Sequence, residues 1–316
     1  MSVSTVTEHD WGPVRPKPTG YRRVLRDMRK QWTAYLFIAP VFLLFSIFTV
    51  FSVGYAFWLS FHKWNILEPA KPFVGLDNYT RLLRDDRFHE ATLNTLYYTA
   101  LSVPLTIVLG LAVALLLNNQ IHARGVFRTM FYLPVITPLV IASIIWKWVY
   151  NGDYGLLNYY LLKVHLIDEP LLWLADKNLA MPSVIITSVW KSVGFAMVVY
   201  LAGLQSIPED YYDAAKIDGA TGWRRLKDIT IPLLSSTTLF LFVISMLGSF
   251  QVFTQIFIMT NGGPLGKTRT IVWYIYTTAF KDFNMGYAAA MAFALFAMML
   301  VFTLLQFRFL RREIEY

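Results

Sequence analysis

The 316-residue sequence predicts an all-α membrane protein with about six transmembrane helices, and three observations carry that prediction. Charged residues make up 15% of the chain, against about 25% in soluble domains, while 56% are hydrophobic and 16% aromatic. Six apolar stretches each reach the roughly 20 residues needed by a helix rising about 1.5 Å per residue through a hydrocarbon core about 30 Å thick. Basic residues are spread unevenly about those stretches, as membrane insertion demands.

The six stretches lie near 33–60, 92–117, 129–150, 182–204, 233–257 and 287–307. The first apolar run, Gln31 to Phe61, is far longer than the roughly 7–15 residues of a signal-peptide core and reads as a retained membrane helix. Pro40, Pro104, Pro134 and Pro138 fall in or near spans and predict kinks in the first three. An even number of spans puts both termini on one side. If that side is cytoplasmic, 16 of the 28 Lys and Arg face the cytoplasm and ten lie in outer loops, with Lys147 and Lys191 inside spans. The 20 acidic residues divide equally, so the inner side is net positive and the outer side neutral. The expected organisation is a polar, basic cytoplasmic tail over residues 1–30 and one transmembrane domain over 31–316. Outer loops follow at about 61–91, 151–181 and 258–286, with turn signals such as "NGDYGLLN". Lys147 and the Trp146/Trp148 pair, near the outer end of the third span, read as interface anchors. The net charge of +8 belongs to the membrane pattern, and no soluble basic domain is present to bind nucleic acid. The absence of cysteine excludes disulfides and thiolate metal sites.

Between spans four and five runs "LQSIPEDYYDAAKIDGATGWRRLKDITIPLL". Pro208 starts a segment in which Glu209, Asp210 and Asp213 place negative charge in the first turn, as a helix start prefers. Ala214 and Ala215 favour helix and allow close approach of another surface. Gly219, after Asp218, breaks the segment; Arg224, Arg225 and Lys227 follow, and Pro232 opens the next span. The pattern predicts a short surface helix, a glycine turn and a basic second helix. On periodicity alone, an ordinary solvated loop with local acid–base pairing fits equally well.

This loop resembles the signature of the permeases of bacterial ABC importers: E-A-A, three residues, G, nine residues, then I-x-L-P. Asp213, Ala214, Ala215, Gly219, Ile229 and Pro232 stand at those spacings. Asp213 replaces the glutamate and Ile231 the leucine. The stretches "FRTMFYLPVITPLVIASIIWKWVYNGDYGLLN" and "TNGGPLGKTRT" are similar to the MalF-like permeases of carbohydrate importers, and the likeness runs from about residue 33 to the end. The resemblance implies a multi-pass cell-membrane subunit that moves a carbohydrate, polyol or glycerol-phosphate solute and is not itself an enzyme. It implies a cytoplasmic coupling helix with Asp213, Ala214, Ala215, Asp218 and Gly219 as the ATPase-coupling loop. The implied partners are a second homologous permease, a cytoplasmic ATPase dimer that uses ATP and Mg, and an extracytoplasmic solute-binding protein. This chain itself is expected to bind no cofactor.

The stretch "GGPLGKT" imitates a phosphate-binding loop. That motif places glycine five residues before the second glycine, and here the position is Asn261. A tight turn using glycine freedom is the better reading. No HExxH, GxSxG or carboxylate dyad on a common face suggests a catalytic or metal site.

Polar residues in spans are costly and usually face the bundle interior. Ser188, Lys191, Ser192 and Phe195 recur at i, i+3, i+4 and i+7 on span four, and Ser245, Gly248, Ser249 and Val252 do the same on span five. Hydroxyls beside an aromatic ring or bare backbone suit a sugar, and the resemblance places solute contacts on these same helices. Close helix packing is the competing reading of the Ser and Gly positions. An internally bonded or snorkelling lysine is the competing reading of Lys191. An ion-coupled secondary transporter would want midplane ionisable groups and repeated halves. Lys191 is the one such candidate, and no repeat is visible.

Overall fold

A computed structural model describes residues 32–119 and 122–310. The tail expected over residues 1–30, and Arg311 and Arg312 of the positive-inside count, lie outside the described residues. The described residues are helical apart from turns, and two isolated bridges, His62 with Phe73 and Asn65 with Asn284, are the β pairings among them. The chain divides into two units, residues 1–56 and 57–316.

In the first unit, α1 (Trp32–Phe45) passes through Pro40 and continues as a π-helical stretch, Ser46–Phe51, into α2 (Ser52–Ser60), within which the unit boundary falls. Its apolar side chains, such as Phe37, Val41 and Phe48, are exposed. That suits a helix whose solvent is hydrocarbon.

The second unit is organised by α4 (Asp86–Asn118) and α8 (Ala180–Gln205), which have the most extensive mutual contact in the chain. They run in the same direction: Tyr98 joins Val184 and Ile185 in one buried cluster, and Ala114 and Leu117 join Leu201 and Leu204 in another. Gly110 is why the two can approach so closely, since a Cβ there would lie 2.5 Å from Ala196 Cβ. Pro104 sits within α4 without ending it. Pro134 and Pro138 have a larger effect: α5 (Arg124–Ile136) and α6 (Leu139–Val149) meet at 100°. Proline supplies no N–H to continue the ladder, so the third predicted span is a broken pair. Trp146 packs edge-to-face on Trp190 at 5.4 Å, so half of the expected interface pair is internal.

The fifth predicted span, 233–257, is also divided. A helix α10 (Gly222–Leu233) carries Pro232 inside it and bends by 65° into α11 (Ser235–Phe250). The chain then turns at Gln251 and re-enters a π-helical stretch at Ile256–Thr260. Val252 therefore lies beyond α11 rather than on its face. The loop expected over 258–286 contains an apolar helix, α12 (Ile271–Phe280), before α13 (Met285–Leu310). Short helices α3 (Asp77–Leu82) and α7 (Leu156–Lys163) precede α4 and follow α6. By length and composition four helices can cross a membrane, or six with each bent pair as one span. The expected all-α fold with about six spans stands, and two of the spans are broken.

Candidate functional site

A cavity of about 380 Å³ opens between α4, α8, α11 and the α5–α6 break. Ser188, Lys191, Ser192 and Phe195 from α8 and Ser245, Gly248 and Ser249 from α11 all line it. They do not contribute equally. Ser188 and Ser249 are buried and occupied: Ser188 Oγ donates to Val184 O at 2.9 Å and accepts from Gln255 Nε2 at 3.3 Å. Ser249 Oγ lies 2.9 Å from Met246 O and 3.0 Å from Thr99 Oγ1, bonding α11 to α4. Ser192, Phe195 and Gly248 face open space, and a Cβ at Gly248 would meet nothing within 4 Å. The packing reading thus holds for Ser188 and Ser249, while Ser192 and Gly248 stand open to the cavity.

Lys191 sits in the wall with Nζ 3.0 Å from Pro134 O, 3.2 Å from Val135 O and 2.7 Å from Thr137 O. Among the described residues it is the one charged side chain in the lining. Tyr98, Ser102 and Thr106 of α4 and Gln251, Thr254 and Gln255 beyond α11 complete the polar wall. Tyr98, Ser102 and Thr106 stand at i, i+4 and i+8 on a span with no charge after Glu90, so the signal was present in the sequence but resembled packing polarity.

The loop after α8 folds as its sequence predicts. A surface helix, α9 (Glu209–Ile217), begins after Pro208 and ends at Asp218. Ala220 N donates to Ala215 O at 2.8 Å and Gly219 N to Lys216 O at 3.1 Å, a Schellman closure. It requires left-handed backbone at Gly219, whose φ is +72°. Asp213 is exposed and pairs with Lys216 at 2.8 Å, while Ala215 is buried. Tyr212 and Thr230 hydroxyls, 3.1 Å apart, tie α9 to α10. Ile217 and Trp223, 87% and 71% exposed, flank the glycine turn as apolar groups in a polar loop. Hydrophobic type alone would have assigned both to the interior.

The "GGPLGKT" turn is a structural brace. Asn94 Nδ2 donates to Gly266 O and Arg269 O, both at 2.9 Å, and Arg269 pairs with Glu90 at 3.2 Å. Its backbone is thereby tied to α4.

At the N-terminal end of α4, Asp85 caps the helix through Arg87 N at 2.9 Å and accepts from Tyr274 Oη at 2.7 Å and Tyr287 Oη at 2.6 Å. Burial alone would raise its pKa. The two tyrosine hydroxyls and the amides of Arg87 and Phe88 together outweigh that and hold it below the usual carboxylate range. Burial, then the Asp85 hydrogen bond and charge, push Tyr274 up to about 12.

Residues 93–314 match the family described as "Binding-protein-dependent transport system inner membrane component". The chain is 36% identical over 279 residues to the trehalose/maltose transport system permease protein MalF of Thermococcus litoralis, covering 87% of this chain and 92% of that one. It is 36% identical over 277 residues to the lactose transport system permease protein LacF of Rhizobium radiobacter, covering 86% and 92%. Its fold matches a chain of a solved bacterial ABC transporter involved in import of the acidic polysaccharide alginate, with TM-score 0.78, 26% identity, and coverage of 93% of this chain and 100% of that chain. With the family matched over most of its length, the described spans in place and the signature spacing of the α9 loop intact, the chain belongs to the binding-protein-dependent transport inner membrane components and is a MalF-like ABC transporter permease.

Proposed function

We propose that this chain is the permease subunit of an ATP-driven importer that carries a carbohydrate across the cell membrane by alternating access. The cavity between α4, α8 and α11 supports this most directly: the exposed Ser192 and half-buried Ser245 hydroxyls line it with the Phe195 ring and the bare backbone of Gly248. Hydroxyl donors and acceptors suit sugar hydroxyls, and an aromatic face suits the C–H face of a sugar ring. Relatives named for trehalose/maltose and lactose transport agree with that solute class. Ser188, Lys191 and Ser249 form the rest of the path wall on this reading.

Asp213, Ala214, Ala215, Asp218 and Gly219 form the ATPase-coupling loop. Exposed Ile217 and Trp223 give that loop an apolar contact surface, and the Tyr212–Thr230 bond passes its displacement to α10. Energy comes from a cytoplasmic ATPase dimer that consumes ATP and Mg; this chain binds no cofactor and is not an enzyme. A second homologous permease completes the pathway, and an extracytoplasmic solute-binding protein delivers the solute. A neighbouring solved structure is of an alginate transporter with its pentasaccharide-bound periplasmic protein. Both termini face the cytoplasm, following the basic-residue count.

The test is reconstitution of the chain with its companion permease, ATPase and binding protein in vesicles. Uptake should require ATP, and Gly248→Leu, which fills open space, should abolish uptake while the ATPase still co-purifies. Proton- or sodium-driven uptake by this chain alone would overturn the reading.

A further inference from the structure

Lys191 is the one charge in the cavity wall among the described residues, and its protons are already committed. An ammonium has three protons to donate, and three backbone carbonyls, of Pro134, Val135 and Thr137, stand at 3.0, 3.2 and 2.7 Å. Those carbonyls sit where α5 stops. Pro138 has no N–H to give Pro134 O, which accepts only a long 3.3 Å bond from Thr137 N, and the chain turns by 100° before α6 begins, so the helix end is left short of donors. Within a membrane, unpaired carbonyls are costly, and a cation at a helix C-terminus also meets the negative end of its dipole. One turn along α8, Gly194 lets the same helix end seat closely, since a Cβ there would collide with the Phe131 carbonyl. Among the described residues no carboxylate lines the cavity to share the charge, and the Ser192 and Ser245 hydroxyls have no hydrogen-bond partner.

We propose that Lys191 is a positioning residue whose ammonium caps the broken end of α5 and fixes the α5–α6 bend against α8. The wall that this chain presents to a solute is then neutral hydroxyl and amide, suited to an uncharged polyhydroxylated molecule rather than to a phosphate or carboxylate. The capping role stands on geometry alone; the solute class rests on the transport reading above.

The assembled transporter is compared as wild type, Lys191→Met, Lys191→Arg and Lys191→Gln, with two readouts. Hydrogen exchange at the amides of Ile136 to Ala142 should quicken about tenfold in Lys191→Met, with Lys191→Arg restoring it to within about threefold, while α9 is unaffected. Uptake is measured with maltose as neutral probe and glycerol 3-phosphate as anionic probe. Lys191→Met should lower the maximal rate about tenfold, leave KM within about twofold and preserve the preference between probes. Unchanged exchange with KM raised about tenfold, or a loss confined to the anionic probe, would overturn the proposal. Should Lys191→Met fail to assemble, Lys191→Gln, with two donors, should give intermediate exchange; wild-type exchange in that variant also overturns it. If wild type moves neither probe, the failure falls on the transport reading, and hydrogen exchange still decides the role of Lys191.

Discussion

Asp85 shows how one carboxylate gathers separate elements: it caps α4 while accepting hydroxyls from α12 and α13. Its pKa is depressed in the folded protein, so its contribution is fully present above its unfolded value, about 3.9, and is lost as pH falls through the lower folded value. Asp85→Asn should destabilise the protein at pH 7 by about 1 kcal/mol, the low end for a charged acceptor because the group is part-exposed. Thermal midpoints of wild type and variant, measured in nanodiscs, should differ at pH 7 and converge on acidification. A gap that persists or widens in acid would contradict the assignment. The role of Asp85 as a cap was open to sequence reasoning. Its tyrosine partners, 189 and 202 residues away, were not.

At the scale of elements, α9 is the segment where local chemistry and outcome agree most closely. Pro208 and two acids start the helix, Gly219 closes it, and no distant contact is needed to explain either end. Left-handed backbone costs a residue bearing a Cβ about 1–2 kcal/mol, and the space around Gly219 is otherwise empty. Gly219→Val should therefore insert normally yet lower the solute moved per ATP hydrolysed, read from paired uptake and ATPase assays in vesicles. An unchanged ratio would remove the lever role from this turn. The fifth predicted span is the contrasting element. It carries no charged residue, so hydropathy counted one crossing where the chain bends before Ser235 and breaks again at Gln251. Hydropathy measures the solvent a segment tolerates, and a bend lined by protein or cavity is tolerated as well.

At the scale of the molecule, cohesion within the second unit rests on shape. Lipid tails are as apolar as leucine, so close packing and interhelical hydrogen bonds must hold α4 against α8. Gly110 leaves no room for a Cβ against Ala196 in that contact. Gly110→Ala should destabilise by about 1–3 kcal/mol through overpacking. Adding Ala196→Gly should recover most of the loss in thermal midpoint, whereas a strictly additive double variant would show that the two positions do not share the contact.

By itself the sequence determined the membrane class, the approximate number of spans, the surface helix with its glycine turn, and the faces bearing Ser188, Lys191 and Ser245. Each of these depends on local composition, on spacing or on the lipid that surrounds the chain. Only the tertiary structure decided which faces meet in one cavity, that Ser188 and Ser249 are internally bonded while Ser192 and Gly248 stand open, and that Lys191 reaches carbonyls more than 50 residues earlier in the chain. The physical reason is that hydrogen-bond saturation is a property of neighbours in space. Periodicity places a donor on a face, but it does not say which acceptors another helix, broken by its own prolines, will leave unpaired in front of it.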